Sequence, residues 1–150
     1  MFEKELILFL DKEYKNKSDL LADLSKAVAS NAKVTSAKDY EKAVKEREAT
    51  ISTFIGYDTA IPHAKTDAVK TPFVVYTKLF HPLDWDGNGE MVDHIFMIGV
   101  PKKAGSNLHM RIISELSKNI MRNAWRESFM NAASVDEAYD ILKLIEKEVM

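Results

Sequence analysis

Two dense runs of apolar residues constrain the fold of this 150-residue chain more than any other feature of its sequence. Residues 73–80 (Phe-Val-Val-Tyr-Thr-Lys-Leu-Phe) and residues 92–100 (Val-Asp-His-Ile-Phe-Met-Ile-Gly-Val) are rich in β-branched and aromatic side chains. Both runs are bounded by Pro, Gly or Asp, as strands usually are, and residues 83–89 between them have the composition of a turn. The apolar density predicts that both strands are covered on both faces of a sheet.

Amphipathic segments before and after these strands supply the helices that would cover such a sheet. The chain shows no linker or repeat, so we predict one α/β domain over residues 1–150, with a mixed sheet covered by helices on both faces. The other predicted elements are a strand at 6–10, helices at 19–30 and 37–48 with N-caps Ser18 and Ser36, a helix capped by Ser106, a short helix at 125–130, and a last helix with the capping box Ser134 and Glu137.

The composition narrows the possible environments and partners. The chain has 46% hydrophobic and 29% charged residues, and its net charge of −2 gives no electrostatic reason to expect nucleic acid or an anionic membrane surface as a partner. The absence of cysteine excludes disulfides and thiolate chemistry and fits a reducing cytoplasm. The apolar run at residues 6–10 is too short for a signal peptide or a membrane span. We therefore expect a cytoplasmic protein that does not insert into the membrane.

The segment from Arg47 to His63 is the main functional candidate. It ends in Ala60-Ile61-Pro62-His63, where Ala60 and Ile61 are interpreted as the end of a short buried strand. Proline has no N–H to donate to a sheet, so strand pairing should stop at Pro62 and His63 should follow on a restricted backbone. Imidazole is nucleophilic and partly neutral near pH 7, so His63 could take up and release a phosphoryl group.

This segment resembles the active-site segment of enzyme IIA domains of the fructose/mannitol class in the bacterial sugar phosphotransferase system (PTS). Two positions, Phe54 and Asp58, depart from the glycines of many fructose-type members, while the mannitol branch has an aromatic residue and a serine there; the sugar branch therefore stays open. The residues in register with the family pattern are Arg47, Glu48, Ser52, Thr53, Gly56, Ala60, Ile61, Pro62 and His63.

A second motif of the same family is matched around His109. The segment from Asn107 to Leu116 resembles the family's second motif, in which a histidine opens a helix after a strand ending in Val-Pro, here Val100-Pro101. The first turn of a helix carries free N–H groups and the positive end of the helix dipole, which favour an anion. The other two histidines, His81 and His94, are interpreted as residues at strand boundaries or partly buried.

The resemblance implies a phosphoryl relay. The carrier protein HPr would phosphorylate His63, by family precedent at Nε2, and the group would pass to a cysteine of enzyme IIB (EIIB) and then to the sugar. Arg47 could donate two hydrogen bonds to the phosphoryl oxygens, although a cation in the last turn of a helix could equally serve the helix dipole. Thr53 could donate its hydroxyl to the phosphoryl group or orient His63 through its other ring nitrogen. His109 would stabilise charge, and no metal, nucleotide or other cofactor would be required.

Three alternatives remain open at this point. The same phosphorylatable fold could serve in regulation, although the paired histidine favours the transport branches. His63 and His109 could bind a metal with Asp58 or Asp67, although they lack the short spacings of helix-borne zinc sites. The chain could also be an inactive globular domain. The relay requires His63 and His109 to lie within about 10 Å of each other, so that both can contact one phosphoryl group.

Overall fold

A six-stranded mixed sheet lies at the centre of the computed structural model, which describes residues 1–105 and 107–149. The strands are β1 (Ile7–Leu10), β2 (Phe54–Gly56), β3 (Thr59–Ala60), β4 (His63–Lys65), β5 (Phe73–Asp84) and β6 (Met91–Val100). The helices are α1 (Lys17–Ser30), α2 (Ala37–Thr50), α3 (Leu108–Ile120), α4 (Asn123–Met130) and α5 (Val135–Val149), and a 3-10 turn covers Lys4–Leu6.

The two strongest strands of the sequence form the middle of the sheet. β5 and β6 pair antiparallel, β1 is parallel to β5, and β2 is antiparallel to β3. Both β3 and β4 run parallel to β6, one after the other: Thr59 pairs with His94, and His63 pairs with Ile98. The sheet is therefore mixed, as predicted.

Helices cover the two faces of this sheet, because neighbouring side chains along β5 belong to two different hydrophobic cores. Val75 belongs to one hydrophobic core with Leu24 of α1. Its neighbour Tyr76 belongs to the other core with Ile112 of α3 and Leu142 of α5. Successive side chains of a strand point to opposite faces, so the prediction of helices on both faces is confirmed.

The N-terminal boundaries differ from the prediction in two places. Asn16, and not Ser18, caps α1: its side chain accepts a hydrogen bond from the N–H of Asp19 at 2.9 Å. Asparagine caps a helix as well as serine does, so the helix begins two residues earlier, at Lys17. Leu6 lies in the 3-10 turn instead of the first strand. The Ser36 cap is confirmed, with the N–H of Asp39 donating to its hydroxyl at 3.2 Å.

The C-terminal half also needs small corrections. β5 continues to Asp84, so the turn predicted from residue 83 begins at Trp85, and α4 begins at residue 123 instead of 125. The Ser134 cap is confirmed by the N–H of Glu137, which donates to the serine hydroxyl at 3.1 Å. Ser106, the predicted cap of α3, lies outside the described residues.

Across residues 1–105 and 107–149, no helix combines the length and the apolar character that crossing a membrane would need.

Candidate active site

His63 is the first residue of β4, and the residue before it explains its position. Pro62 lacks an N–H, but its carbonyl oxygen accepts a hydrogen bond from the N–H of Ile98 at 2.9 Å. The strand before the proline ends as predicted, but pairing with β6 resumes directly after it in the same register, which the prediction did not include. β3 ends at Ala60, and His63 begins a new strand. The backbone of His63 is consequently held by the sheet itself.

The half-buried ring of His63 has a defined tautomer. Its Nδ1 atom lies 3.0 Å from the carbonyl oxygen of Ile61. A carbonyl oxygen only accepts hydrogen bonds, so Nδ1 carries the proton in the neutral ring and Nε2 carries the lone pair. Burial lowers the pKa of the His63 imidazole below its ordinary value, and the positive charge of Arg47 lowers it further. Near neutral pH the ring is thus an uncharged nucleophile.

His109 faces His63 from the first turn of α3. The centroids of the two rings are 6.3 Å apart and their planes are inclined by 34°, within the limit of about 10 Å set by the relay. Asn107, which precedes α3, adopts the left-handed conformation with φ 53°. The Nδ1 atom of His109 is buried and has no hydrogen-bond partner among the described residues. Burial and the charge of Lys65 lower the pKa of His109.

An open cleft of about 410 Å³ joins the two histidines to two cations. α2 and α3 both contact β4, and the cleft lies where these elements meet. Its lining residues are Ala43, Glu46, Arg47, Thr50, His63, Ala64, Lys65 and His109. With two cations against one carboxylate, the cleft suits an anion.

Lys65 was not identified from the sequence. Residues two apart on a strand share one face, so the placement of His63 on a strand would have indicated Lys65 as its neighbour. The prediction that pairing stops at Pro62 concealed this relationship.

Arg47 is placed for both roles considered for it. It lies in the last turn of α2, and its Nη1 atom donates to the carbonyl oxygen of Ile51 at 2.8 Å. A guanidinium has five N–H donors in a planar fork, so this bond leaves other donors for the cleft. Arg47 therefore both ends the helix and contributes charge beside His63.

The structure corrects the contacts expected of Thr53. Its buried hydroxyl donates to Glu48, and its N–H donates to the same carboxylate at 2.8 Å. The hydroxyl is consequently engaged away from the cleft, whose lining does not include Thr53. The second ring nitrogen of His63 is oriented by Ile61 and not by Thr53.

The remaining histidines lie outside the cleft. The exposed ring of His81 places Nε2 2.7 Å from a carboxylate oxygen of Asp11. His94 is buried, with Nδ1 2.7 Å from the hydroxyl of Tyr76. Both lie inside their strands, β5 and β6, and not at the strand boundaries expected from the sequence.

The alternative of a metal site at His63 and His109 is not supported by the arrangement of the side chains. Within residues 1–105 and 107–149, no group of three or more His, Cys, Asp or Glu side chains is placed to hold a metal ion. Neither Asp58 nor Asp67 lines the cleft.

Comparison with known proteins agrees with this geometry. A family model described as "Phosphoenolpyruvate-dependent sugar phosphotransferase system, EIIA 2" matches residues 1–144. The fructose-specific EIIA component of Haloferax volcanii is 37% identical over 101 residues, which are 67% of this chain and 65% of that protein. The fructose-specific EIIABC component of Bacillus subtilis is 30% identical over 139 residues, 92% of this chain and 22% of that protein. The multiphosphoryl transfer protein of Shigella flexneri is 26% identical, and the chain spans only 17% of its length.

Solved structures share the fold. The nitrogen regulatory protein IIA-Ntr from Neisseria meningitidis superposes with a TM-score of 0.82 at 27% identity, covering 94% of this chain and 95% of that one. IIA mannitol from Escherichia coli superposes with a TM-score of 0.75 at 21% identity, covering 93% and 97%. With the family model matching nearly the whole chain, this protein belongs to the EIIA 2 family of the phosphoenolpyruvate-dependent sugar phosphotransferase system.

Proposed function

We propose that this chain is a phosphoryl carrier that accepts a phosphoryl group from phospho-HPr on Nε2 of His63 and passes it to EIIB for sugar uptake. One observation carries the proposal: Nδ1 of His63 faces the carbonyl oxygen of Ile61, which leaves the lone pair on Nε2 beside a cationic cleft. The lowered pKa of His63 supports it further, because only the neutral ring can attack phosphorus.

The transfer step needs no other group from this chain as a nucleophile. The Nε2 lone pair attacks the phosphorus atom in line, the P–N bond to the donor histidine breaks, and that bond's electron pair returns to the donor ring. The proton on Nδ1 of His63 stays where the Ile61 carbonyl holds it. Arg47 would bind the equatorial oxygens, while Lys65, His109 and the N-terminus of α3 would stabilise the remaining charge.

The partners follow from the family. One solved structure with this fold is the "Complex of enzyme IIAMTL and phosphorylated enzyme IIBMTL" from Escherichia coli, with a TM-score of 0.78 at 20% identity over 95% of this chain and 99% of that one. By analogy we propose EIIB as the acceptor and HPr as the donor, with the exchange taking place in the cytoplasm.

A regulatory role is the second candidate, and the similarity to IIA-Ntr favours it. In that role the chain would still be phosphorylated on His63, but its phosphorylation state would act as a signal. The two candidates differ in the second half-reaction, since only a transport component must deliver the phosphoryl group rapidly to a sugar-specific EIIB.

Intact mass measurement tests both steps. The chain is incubated with phosphoenolpyruvate, enzyme I and HPr, and a fructose-type EIIB is then added. We expect the gain of one phosphoryl mass in the wild type, no gain in His63→Ala, and loss of the added mass when EIIB is present. A gain in His63→Ala would show that the acceptor is another residue. A phosphoprotein that keeps its added mass after EIIB is present would favour the regulatory candidate.

A further inference from the structure

A buried carboxylate lies behind the cleft, and the proposed mechanism does not use it. Glu48, in the last turn of α2, is only 3% exposed. Its carboxylate accepts hydrogen bonds from the N–H and hydroxyl of Thr53, from Nε1 of Trp85 at 3.3 Å, and from Nζ of Lys17 at 3.1 Å. A buried carboxylate persists only where donors satisfy it, and all four of these contacts are donors.

Hydrogen bonds connect this carboxylate to the ring of His63. Glu48 holds Thr53 by both its N–H and its hydroxyl. The carbonyl oxygen of Thr53 accepts from the N–H of Ile61 at 3.0 Å. The carbonyl oxygen of Ile61 then lies 3.0 Å from Nδ1 of His63. Ile61, whose carbonyl selects the tautomer of His63 and whose N–H binds Thr53, is therefore tied to Glu48 through a single residue.

A second branch anchors the same loop. Nζ of Lys17 bridges Glu48 and Asp86, lying 2.6 Å from the carboxylate of Asp86. Asp86 also accepts a hydrogen bond from the hydroxyl of Ser52, next to Thr53. α1, α2 and the turn after β5 thus fix the loop that follows α2 from two sides.

We propose that Glu48 is a positioning residue for phosphoryl transfer: it fixes Thr53 so that the Ile61 carbonyl holds His63 in the Nδ1–H tautomer and leaves Nε2 available. This inference rests on the proposed function. Glu48 does not touch the phosphoryl group: it acts through Thr53 and Ile61, and its negative charge also raises the pKa of His63. Glu48→Gln replaces one acceptor oxygen by an NH₂ donor that meets other donors, so the shape of the side chain is kept while Thr53 loses part of its anchor.

Nitrogen-15 NMR of the imidazole rings gives the decisive readout. The spectrum distinguishes the two neutral tautomers of His63 in the whole chain without any partner present, and a purely structural role for Glu48 would not change it well below the melting temperature. We expect one tautomer in the wild type and a mixture in Glu48→Gln. We also expect transfer from phospho-HPr to Glu48→Gln to be slower by about tenfold or more.

Glu41→Gln is the matched control. Glu41 belongs to the same helix and pairs with Lys45 at 2.7 Å, so its substitution removes one carboxylate without touching the Thr53 loop. Its tautomer and rate should match those of the wild type. If Glu48→Gln is too unstable to measure, Thr53→Val removes only the hydroxyl link and should also give a mixed tautomer.

A folded Glu48→Gln with a single Nδ1–H tautomer and the wild-type rate would overturn the proposal. If Glu48→Gln is too unstable to measure, an unchanged tautomer in Thr53→Val would overturn it instead. The proposed function fails in a different way. If the wild type itself takes no phosphoryl group from HPr, the tautomer measurement still decides whether Glu48 orients His63.

Discussion

Nδ1 of His63 lies 3.0 Å from the carbonyl oxygen of Ile61, two residues earlier in the same chain segment. A proline separates the two residues, and its carbonyl is itself bound to β6 through the N–H of Ile98. Pairing with β6 thus holds the segment on both sides of Ile61, and the bond from the N–H of Ile61 to the carbonyl of Thr53 holds Ile61 itself. This short segment contains the proposed nucleophile together with the group that selects its tautomer, which is the arrangement a phosphoryl carrier needs.

The first prediction concerns the pH dependence of His63. Burial and the charge of Arg47 lower its pKa, so the ring stays neutral, and competent to accept a phosphoryl group, at pH values below the ordinary histidine value of 6.5. An NMR titration should give a midpoint below 6.5, and Arg47→Ala should move that midpoint upward, because one positive neighbour is removed. A midpoint at or above 6.5 in the wild type would contradict the prediction.

Arg47 should matter more for transfer than for stability. Losing a charged donor at such a site typically costs a few kcal/mol, so we expect Arg47→Ala to slow transfer from phospho-HPr by about a hundredfold or more. Arg47→Lys keeps the charge without the planar fork and should be intermediate. Loss of the bond to Ile51 should lower the free energy of unfolding by about 1 kcal/mol or less. A rate within about threefold of the wild type would leave Arg47 only its part in ending the helix.

His109 should act in the second half-reaction. Its ring, 6.3 Å from that of His63, is placed to contact a phosphoryl group on Nε2 but not to replace His63 as the nucleophile. His109→Ala should therefore still gain the phosphoryl mass from phospho-HPr and should deliver it to EIIB at least about tenfold more slowly. The two rates are measured separately by rapid quench and intact mass. Equal delivery rates in the variant and the wild type would remove His109 from the mechanism.

Much of the fold could be predicted because local patterns and tertiary structure agree. Most apolar residues of β5 and β6 are buried, with Phe80 and Met91 exposed. The Ser36 cap acts within one turn of its helix. The proximity of His63 and His109 follows in the same way. β4 pairs with β6 and α3 follows β6, so both imidazoles reach the same rim of the sheet.

The contacts of Thr53 and the place of Lys65 in the cleft were not predicted, for two different physical reasons. Thr53 binds Glu48, whose other donors come from Lys17 and Trp85, far away in the sequence. No local pattern indicates which carboxylate is buried. Lys65 was missed because Pro62 was taken to end strand pairing, although the carbonyl oxygen of Pro62 can still accept a hydrogen bond.

The cap of α1 is Asn16 and not Ser18. Both are good capping residues within one turn of each other, and propensity alone does not choose between them.

The last prediction is that His94 makes the fold sensitive to acid. Burial and the charge of Lys78 lower the pKa of His94 to about 4, whereas the unfolded chain titrates near 6.5. Below pH 6.5 the unfolded state binds a proton at His94, whereas the folded state does not until the pH approaches 4. The free energy of unfolding therefore decreases by roughly 3 kcal/mol in all as the pH falls from about 6.5 to about 4.

His94→Gln keeps an acceptor for the hydroxyl of Tyr76 but cannot titrate. Urea unfolding at several pH values in this range should therefore show a shallower loss of stability in His94→Gln than in the wild type. If His94→Gln and the wild type lost stability in parallel, the acid sensitivity would have to originate elsewhere in the chain.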